Sequence, residues 1–370
     1  VFRYRVAGSQ LKTGLLTCHD DRGGFFTLML YPPIDPAPLA SKPLELVFVL
    51  DSSGSMSGRP IAEAKQAIDR ALRRLAPNDT FQLINFATRA SRLGAAPLPA
   101  TPQNVRRGLE YLDQLEGEGG TLMIEGVKAA LDLPHDPERL RFVCFLTDGY
   151  IGNEAEILSA IGEKLGASRV FSFGIGSAVN RYLLEHMAKV GRGAVAYLGP
   201  NDSAARVMDD FIERIRHPAL MEVSLDWAGA AVTEVFPRRV PDLFVGRPVV
   251  LTGRFDGRAL TQVRIRGDAA GQRMEWTVAA AEGAEEHHGL PSVWARLKIA
   301  DLSDQALLDP NAEWASAIKQ VALDYGLMSA YTAFVAVDSS RTTAGSEGTT
   351  VPVAVPVPDG VKYRTSVPQN

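Results

Sequence analysis

A chain of 370 residues with 46% hydrophobic content can fill more than one core, so two domains are expected. A net charge of −4 without a basic cluster argues against sequence-independent nucleic-acid binding, which depends on neutralising phosphates. No run of about 18 or more apolar residues suggests a membrane span, no signal peptide is visible after Val1, and the two cysteines, Cys18 and Cys144, read as free buried thiols rather than a disulfide framework.

Val1 to Leu30 alternates apolar and polar residues, as antiparallel strands do, and the proline-rich stretch from Pro32 to Pro43 leads into a central domain. There Leu46-Val47-Phe48-Val49-Leu50 is an unbroken apolar run, short enough for a strand buried on both faces, and Asp51 follows it directly. Pro60 pre-sets a helix start, after which Ile61, Ala64, Ile68, Leu72 and Leu75 recur at helical spacing. The same grammar returns at Phe142-Val143-Cys144-Phe145-Leu146, followed by Asp148 and a helical pattern. In all, strands are predicted near 45–50, 80–86, 90–93, 141–146, 169–174 and 194–198. Helices are predicted near 59–75, 102–115, 122–133, 153–165, 180–190 and 203–216. This is the alternation of an α/β fold with a doubly wound, mostly parallel sheet, spanning 44–216.

Beyond His217-Pro218, Met221 to Val278 holds short β-like runs such as Val249-Val250-Leu251 and Val263-Arg264-Ile265. The simplest arrangement is one β-rich, sandwich-like domain built from residues 1–43 and 217–340, with the α/β domain inserted into it. Two helical patterns, 289–300 and 310–325, precede a strand-like run from Tyr331 to Val337. Residues 341–370 read as a flexible or extended tail, in which Val351 to Pro358 alternates Val and Pro.

Three distant pieces look like one metal site: Asp51-Ser52-Ser53-Gly54-Ser55, Thr121 after Gly119-Gly120, and Asp148 in Leu146-Thr147-Asp148-Gly149. Both acids follow predicted parallel strands, so they lie on the sheet edge where open α/β folds bind ligands. Carboxylates and hydroxyls are hard oxygen ligands that suit Mg²⁺, Mn²⁺ or Ca²⁺, with Mg²⁺ preferred here, and not Zn²⁺ or Cu²⁺. Ser53, Ser55 and Thr121 offer neutral hydroxyls, and Asp51 and Asp148 bind directly or through water. Neutral direct ligands leave the ion electrophilic enough to take a carboxylate from a protein partner. Met56 and Tyr150 are placed on the rim, with ordinary loop packing as the alternative.

Asp51-x-Ser53-x-Ser55, Thr121 in Gly-Gly-Thr and Asp148 in Thr-Asp-Gly resemble, position for position, the metal-ion-dependent adhesion site of von Willebrand factor type A domains, over roughly 44–216. The resemblance implies that these five residues hold the cation and that the domain serves adhesion or protein interaction without catalysis. Phe26 to Pro33, Phe173 to Arg181, and Trp314 to Val337 also look like inter-alpha-trypsin inhibitor heavy chains and their bacterial relatives. That wider resemblance implies a secreted or cell-envelope protein with a vault-type domain upstream, after which this chain is expected to begin. Heavy chains carry an Asp in an Asp-Pro-His-Phe context that is esterified to hyaluronan. Here Asp309-Pro310 runs into Asn311-Ala312, so that activity is not carried over.

Each residue has a plainer reading. Ser53 and Ser55 can form a turn and cap a helix, Asp148-Gly149 can be a turn, and Thr121 can cap the helix near Leu122. Joined after two buried strands, the site reading outweighs them. Glu285-Glu286-His287-His288 is read as a solvated loop. The glycine runs 117–120 and 174–176 lack the phosphate-loop patterns. An aspartate phosphatase needs a second acid where Ser53 stands, and a serine hydrolase finds Met56 at the centre of its elbow. An intracellular adaptor for an AAA+ ATPase or chelatase is the alternative within binding proteins.

Overall fold

The apolar run that predicts a strand at 45–50 forms one over Leu44–Asp51, and all eight residues of that strand are buried. The computed structural model describes residues 11–33, 42–149, 151–176, 178–199, 202–216, 218–244, 247–257, 259–269, 272–281, 287–308 and 312–335. The chain opens with β1 (Lys12–Asp20), β2 (Gly23–Tyr31) and β3 (Leu44–Asp51), then a 3₁₀ turn (Gly54–Met56), α1 (Arg59–Leu72), β4 (Thr80–Phe86), β5 (Ala90–Arg92) and β6 (Leu98–Pro99). It continues through α2 (Pro102–Asp113), α3 (Met123–Leu131), β7 (Leu140–Thr147), α4 (Glu154–Lys164), β8 (Arg169–Ile175), α5 (Arg181–Val190), β9 (Val195–Leu198) and α6 (Ala204–Arg216). The remainder is β10 (Pro218–Asp226), β11 (Ala231–Phe236), β12 (Leu243–Phe244), β13 (Val249–Asp256), β14 (Gln262–Ala269), β15 (Gln272–Ala279), α7 (Leu290–Leu308) and α8 (Ala312–Asp324).

Successive side chains of a strand point to opposite faces, and along β3 both sets find apolar partners. Leu46, Phe48 and Leu50 pack with Ile68 of α1 and Phe211 of α6, while Val47 and Val49 pack with Val127 of α3, Ile161 of α4 and Met187 of α5. Helices therefore cover both faces. The strand order is β5-β4-β3-β7-β8-β9, with β6 beside β4. From β4 to β9 every pairing is parallel, whereas β5 and β6 run antiparallel to β4. The chain moves outward from β3 in one direction to β4 and then returns to place β7 on the other side. The winding reverses between β3 and β7, and their carboxyl ends frame the crevice where such sheets take ligands.

The flanks form two antiparallel sheets, β1-β2-β13-β11 and β12-β10-β14-β15. Leu28, Leu30 and Leu251 of the first meet Leu220, Val263 and Ile265 of the second in a shared core. Strand β2 pairs with β13, so the segments on either side of the α/β layer complete one sheet. Its other face is covered by α7, where Trp294 packs edge-on to Phe25 at 5.5 Å between ring centroids. Helix α7 continues past the predicted end near 300 to Leu308, and on the added turns Asp301 pairs with Arg238 and Asp304 with His186. The strand-like run from Tyr331 is not a strand over the described residues 331–335, which hold only an isolated bridge between Ser329 and Thr332. Both cysteines are buried free thiols.

The α/β layer is joined to the sandwich at the end of the sheet opposite Asp51. Phe244 of β12 enters the α/β core beside Phe142 and Phe171, at 6.3 and 5.6 Å. Arg169 at the start of β8 donates from Nε to Asp242 Oδ2 at 2.6 Å, with side chains only 4% and 2% exposed. Asp242 Oδ1 also accepts from the Glu222 N–H at 2.8 Å. A buried charge stripped of its partner is strongly destabilising. Asp242→Ala should lower unfolding free energy by about 3–5 kcal/mol in urea titration; a loss under about 1 kcal/mol would remove this pair from the joint.

A second link runs from α5 to α7, where His186 Nε2 and Asp304 Oδ1 lie 2.6 Å apart and Lys189 pairs with the other carboxylate oxygen. Burial pulls the His186 pKa down, but the hydrogen bonds to Asp304 and the Tyr182 carbonyl, with the Asp304 charge, leave it above its ordinary 6.5. Burial pushes Asp304 up, and His186 and Lys189 more than offset that, holding it below its ordinary 3.8. The raised histidine contributes stability fully below pH 6.5 and loses it as pH rises through the folded value; the depressed aspartate contributes above 3.8 and loses it in stronger acid. Stability should therefore fall from pH 5.5 toward pH 8.5 less steeply in His186→Gln than in the wild type, as read by denaturant midpoints across that range.

Candidate metal site at the sheet edge

Asp51 ends β3 with no exposure to solvent. A carboxylate there needs donors, and two are fixed by the backbone around it. The Ser53 N–H donates to Oδ1 at 2.9 Å, and Thr147 at the end of neighbouring β7 donates from Oγ1 to Oδ2 at 2.6 Å. Burial pushes the Asp51 carboxyl above its ordinary range; the bonds from Ser53 and Thr147 pull it back, and the Asp148 charge adds to the rise. A carboxylate in that state gains from a nearby cation.

The loop after β3 is tied down from both sides. Ser52 bonds the Phe86 carbonyl through its N–H at 2.8 Å and its hydroxyl at 3.1 Å, which anchors the loop to β4. Glu118 N–H donates to Ser52 O at 2.9 Å, and Gly54 N–H donates to Gly119 O at 3.1 Å, which lays the 117–120 loop against it. Gly117 is required here because a Cβ would lie 2.6 Å from Ser57 Cα. Leu122 N–H donates to Ala87 O at 2.7 Å, so Thr121 is held between two anchored residues on the same edge. Across the crevice, Asn180 N–H takes the Asp148 carbonyl at 2.9 Å, and Thr147 Oγ1 accepts the Gly149 N–H at 2.8 Å.

The plainer uses of the hydroxyls are not made. Ser53 precedes the 3₁₀ turn without a side-chain capping bond; its hydroxyl faces that of Ser55 at 3.2 Å. The residue in the cap position of α3 is Leu122, 47% exposed, and Thr121 has no side-chain bond to that helix. Three hydroxyls, those of Ser53 and Ser55 bonded to each other and that of Thr121 without a side-chain partner among the described residues, thus accompany two acids, one buried and one half-buried, at the point where the winding reverses. Among the described residues no three acid, histidine or cysteine side chains gather, so this is a hydroxyl-rich rather than a carboxylate-rich donor set. It fits a hard divalent ion in the way the residue types require.

Met56, expected on the rim, is instead completely buried in the core beneath the loop, because the 3₁₀ turn points it at the sheet. Tyr150 lies outside the described residues. His287 donates from Nδ1 to the Thr17 carbonyl at 3.2 Å, apart from this edge; Glu285 and Glu286 lie outside the described residues. Two residues of the site went unassigned in the sequence. Thr147 carries a signal, being the side chain that precedes Asp148 on a buried strand. Asn180 caps α5 through its side chain and supports the Asp148 loop, and an Asn before a helical pattern is a visible cap.

Residues 44–197 match the von Willebrand factor type A domain family, and the α/β layer is a domain of that class. The wider chain is similar to inter-alpha-trypsin inhibitor heavy chain H4 of Homo sapiens, 27% identical over 317 residues that make up 79% of this chain and 34% of that protein. A von Willebrand factor A domain-containing protein of Dictyostelium discoideum is 29% identical over 201 residues, 54% of this chain and 22% of its own length. The chain therefore spans about a fifth to a third of the curated relatives it matches. Among solved structures, the von Willebrand factor type A protein from Catenulispora acidiphila aligns with a TM-score of 0.60 at 17% identity, covering 88% of this chain and 89% of that one. The ArnB paralog VWA2 from Sulfolobus acidocaldarius aligns at 0.51 and 12% identity, covering 85% and 90%. Such coverage extends the likeness of fold beyond the α/β layer into the flanks.

Thr147→Val keeps the shape of a fully buried side chain but leaves Asp51 Oδ2 and the Gly149 N–H without partners. It should destabilise the protein by about 2–4 kcal/mol in chemical denaturation. A neutral result would show that Thr147 does not hold the site.

Proposed function

We propose that this chain is a cation-dependent protein-interaction module whose partner brings a carboxylate to the ion. The observation that carries this reading is the hydroxyl set, Ser53, Ser55 and Thr121, none of which caps a helix, beside buried Asp51 where the sheet's winding reverses. Those three hydroxyls would contact the ion, and Asp51 and Asp148 would hold it directly or through water. The bound cation would supply positive charge at an exposed edge, electrophilic enough to take an external carboxylate. Mg²⁺ suits such oxygens best, with Mn²⁺ and Ca²⁺ as further candidates. Binding is favoured over catalysis because Ser53 and Ser55 face each other rather than an activating base. The resemblance to heavy chains supports a secreted or cell-envelope setting, and among the described residues no helix is long and apolar enough to cross a membrane.

Calorimetric titration of metal-stripped protein with Mg²⁺, Mn²⁺ and Ca²⁺, with and without acetate as a stand-in carboxylate, tests the reading. Saturable binding by the wild type should vanish in Asp148→Ala with circular dichroism unchanged. Asp148→Ala is sharper than Asp51→Ala, since removing Asp51 also strands the Thr147 hydroxyl and the Ser53 N–H. A wild type that binds no cation even with acetate present would remove the proposal.

A further inference from the structure

A cleft of about 310 Å³ lies away from the sheet edge, between α4 and α5 on one side and α7 with the segment after β11 on the other. That is room for about ten water volumes. Leu158 and Val190 on one side and Pro237 on the other give it an apolar lining, and most of the remaining residues are charged. Both acids of the lining are already engaged. Asp304 takes His186 and Lys189, and Asp301 takes Arg238 through both oxygens as well as Gln305. Arg239 lines the same cleft, is exposed, and has no hydrogen-bond or ion-pair partner among the described residues. One guanidinium is thus left to compensate from outside.

An independent observation concerns Gly162. It lies within α4, where glycine is up to about 1 kcal/mol worse than alanine, and it lines this cleft. Neither crowding nor backbone angle requires it. A Cβ there would meet only Val190 Cγ1 at 3.7 Å, an ordinary contact, and no positive φ is found at this position. What a side chain would do is occupy the cleft.

We infer that this cleft binds a small amphiphilic monoanion, a carboxylate with a short aliphatic or aryl body, whose charge meets Arg239 and whose body lies over Leu158, Val190 and Pro237. A single free guanidinium beside two carboxylates favours one negative charge over two, and the apolar residues on both sides favour a hydrocarbon body over a naked ion. Such a ligand would touch the type A domain and the flanking layer together, so its occupancy would tie the two. The inference uses no residue of the sheet-edge site and stands apart from the proposed cation.

The test is calorimetry on the full chain with hexanoate and benzoate, with inorganic phosphate as the comparison arm. Hexanoate should bind saturably at about millimolar strength, as its few atoms allow, and phosphate at least about tenfold more weakly. Arg239→Gln should weaken hexanoate about tenfold. Gly162→Leu should abolish binding while its melting temperature holds or rises, since a better helix former fills the space. Absence of saturable hexanoate binding, preference for phosphate, or unchanged affinity in both variants would overturn the inference. Should Gly162→Leu fail to fold, the exposed Arg239→Gln substitution decides alone.

Discussion

A carboxylate held out of water at the end of β3 organises the edge of the sheet around it. Asp51 can occupy that position because Thr147 and the Ser53 N–H donate to it, and each donor is fixed by a neighbour in turn. Thr147 is set by the β3–β7 pairing, and Ser53 by the anchoring of Ser52 to β4. The loops at 117–122 and 148–149 then attach to this frame through backbone bonds. Displacing any of these supports would bring unpaired polar groups into a dry region, which is more expensive than the bonds themselves are favourable. The hydroxyls of Ser53, Ser55 and Thr121 are therefore placed by a rigid scaffold, in which those of Ser53 and Ser55 bond each other.

The opposite end of the same sheet serves a different purpose. Phe244 and the Arg169–Asp242 pair fasten the α/β layer to the sandwich where strands begin, leaving the strand ends open. An aromatic plug supplies apolar burial, and the ion pair, satisfied further by the Glu222 N–H, fixes its register. The link from α5 to α7 adds a contact on one flank of the layer. The edge that carries Asp51 and the structural joint are thereby separated along the strand direction, so the partner proposed for one would not compete with packing at the other.

Much of this was legible in the sequence where physics is local. The buried strands, the helices of the central layer and the strand-terminal acids followed from apolar runs, helical spacing and their order. The sites that escaped depended on contacts between distant segments. Met56 sits among polar loop residues and reads as rim, yet a single 3₁₀ turn rotates it into the core. Phe244 belongs by sequence to the flanking domain and by packing to the central one. The last turns of α7, past the predicted end near 300, carry Asp301 and Asp304, whose partners Arg238, His186 and Lys189 come from other elements. No spacing rule encodes such meetings.

The pairing of β2 with β13 also bears on how the protein is made. Thr252 bonds the carbonyl of Phe26 across 226 positions of chain, and β1 and β2 can bury their inner face only once β13 and the second sheet exist. During synthesis the opening hairpin waits, its apolar face unpaired, while the central layer emerges and can already close its own parallel sheet from contiguous sequence. The inserted domain is then more than cargo between two halves. A central layer that folds first would bring the ends of a long loop together and shorten the search that the outer sheet must complete.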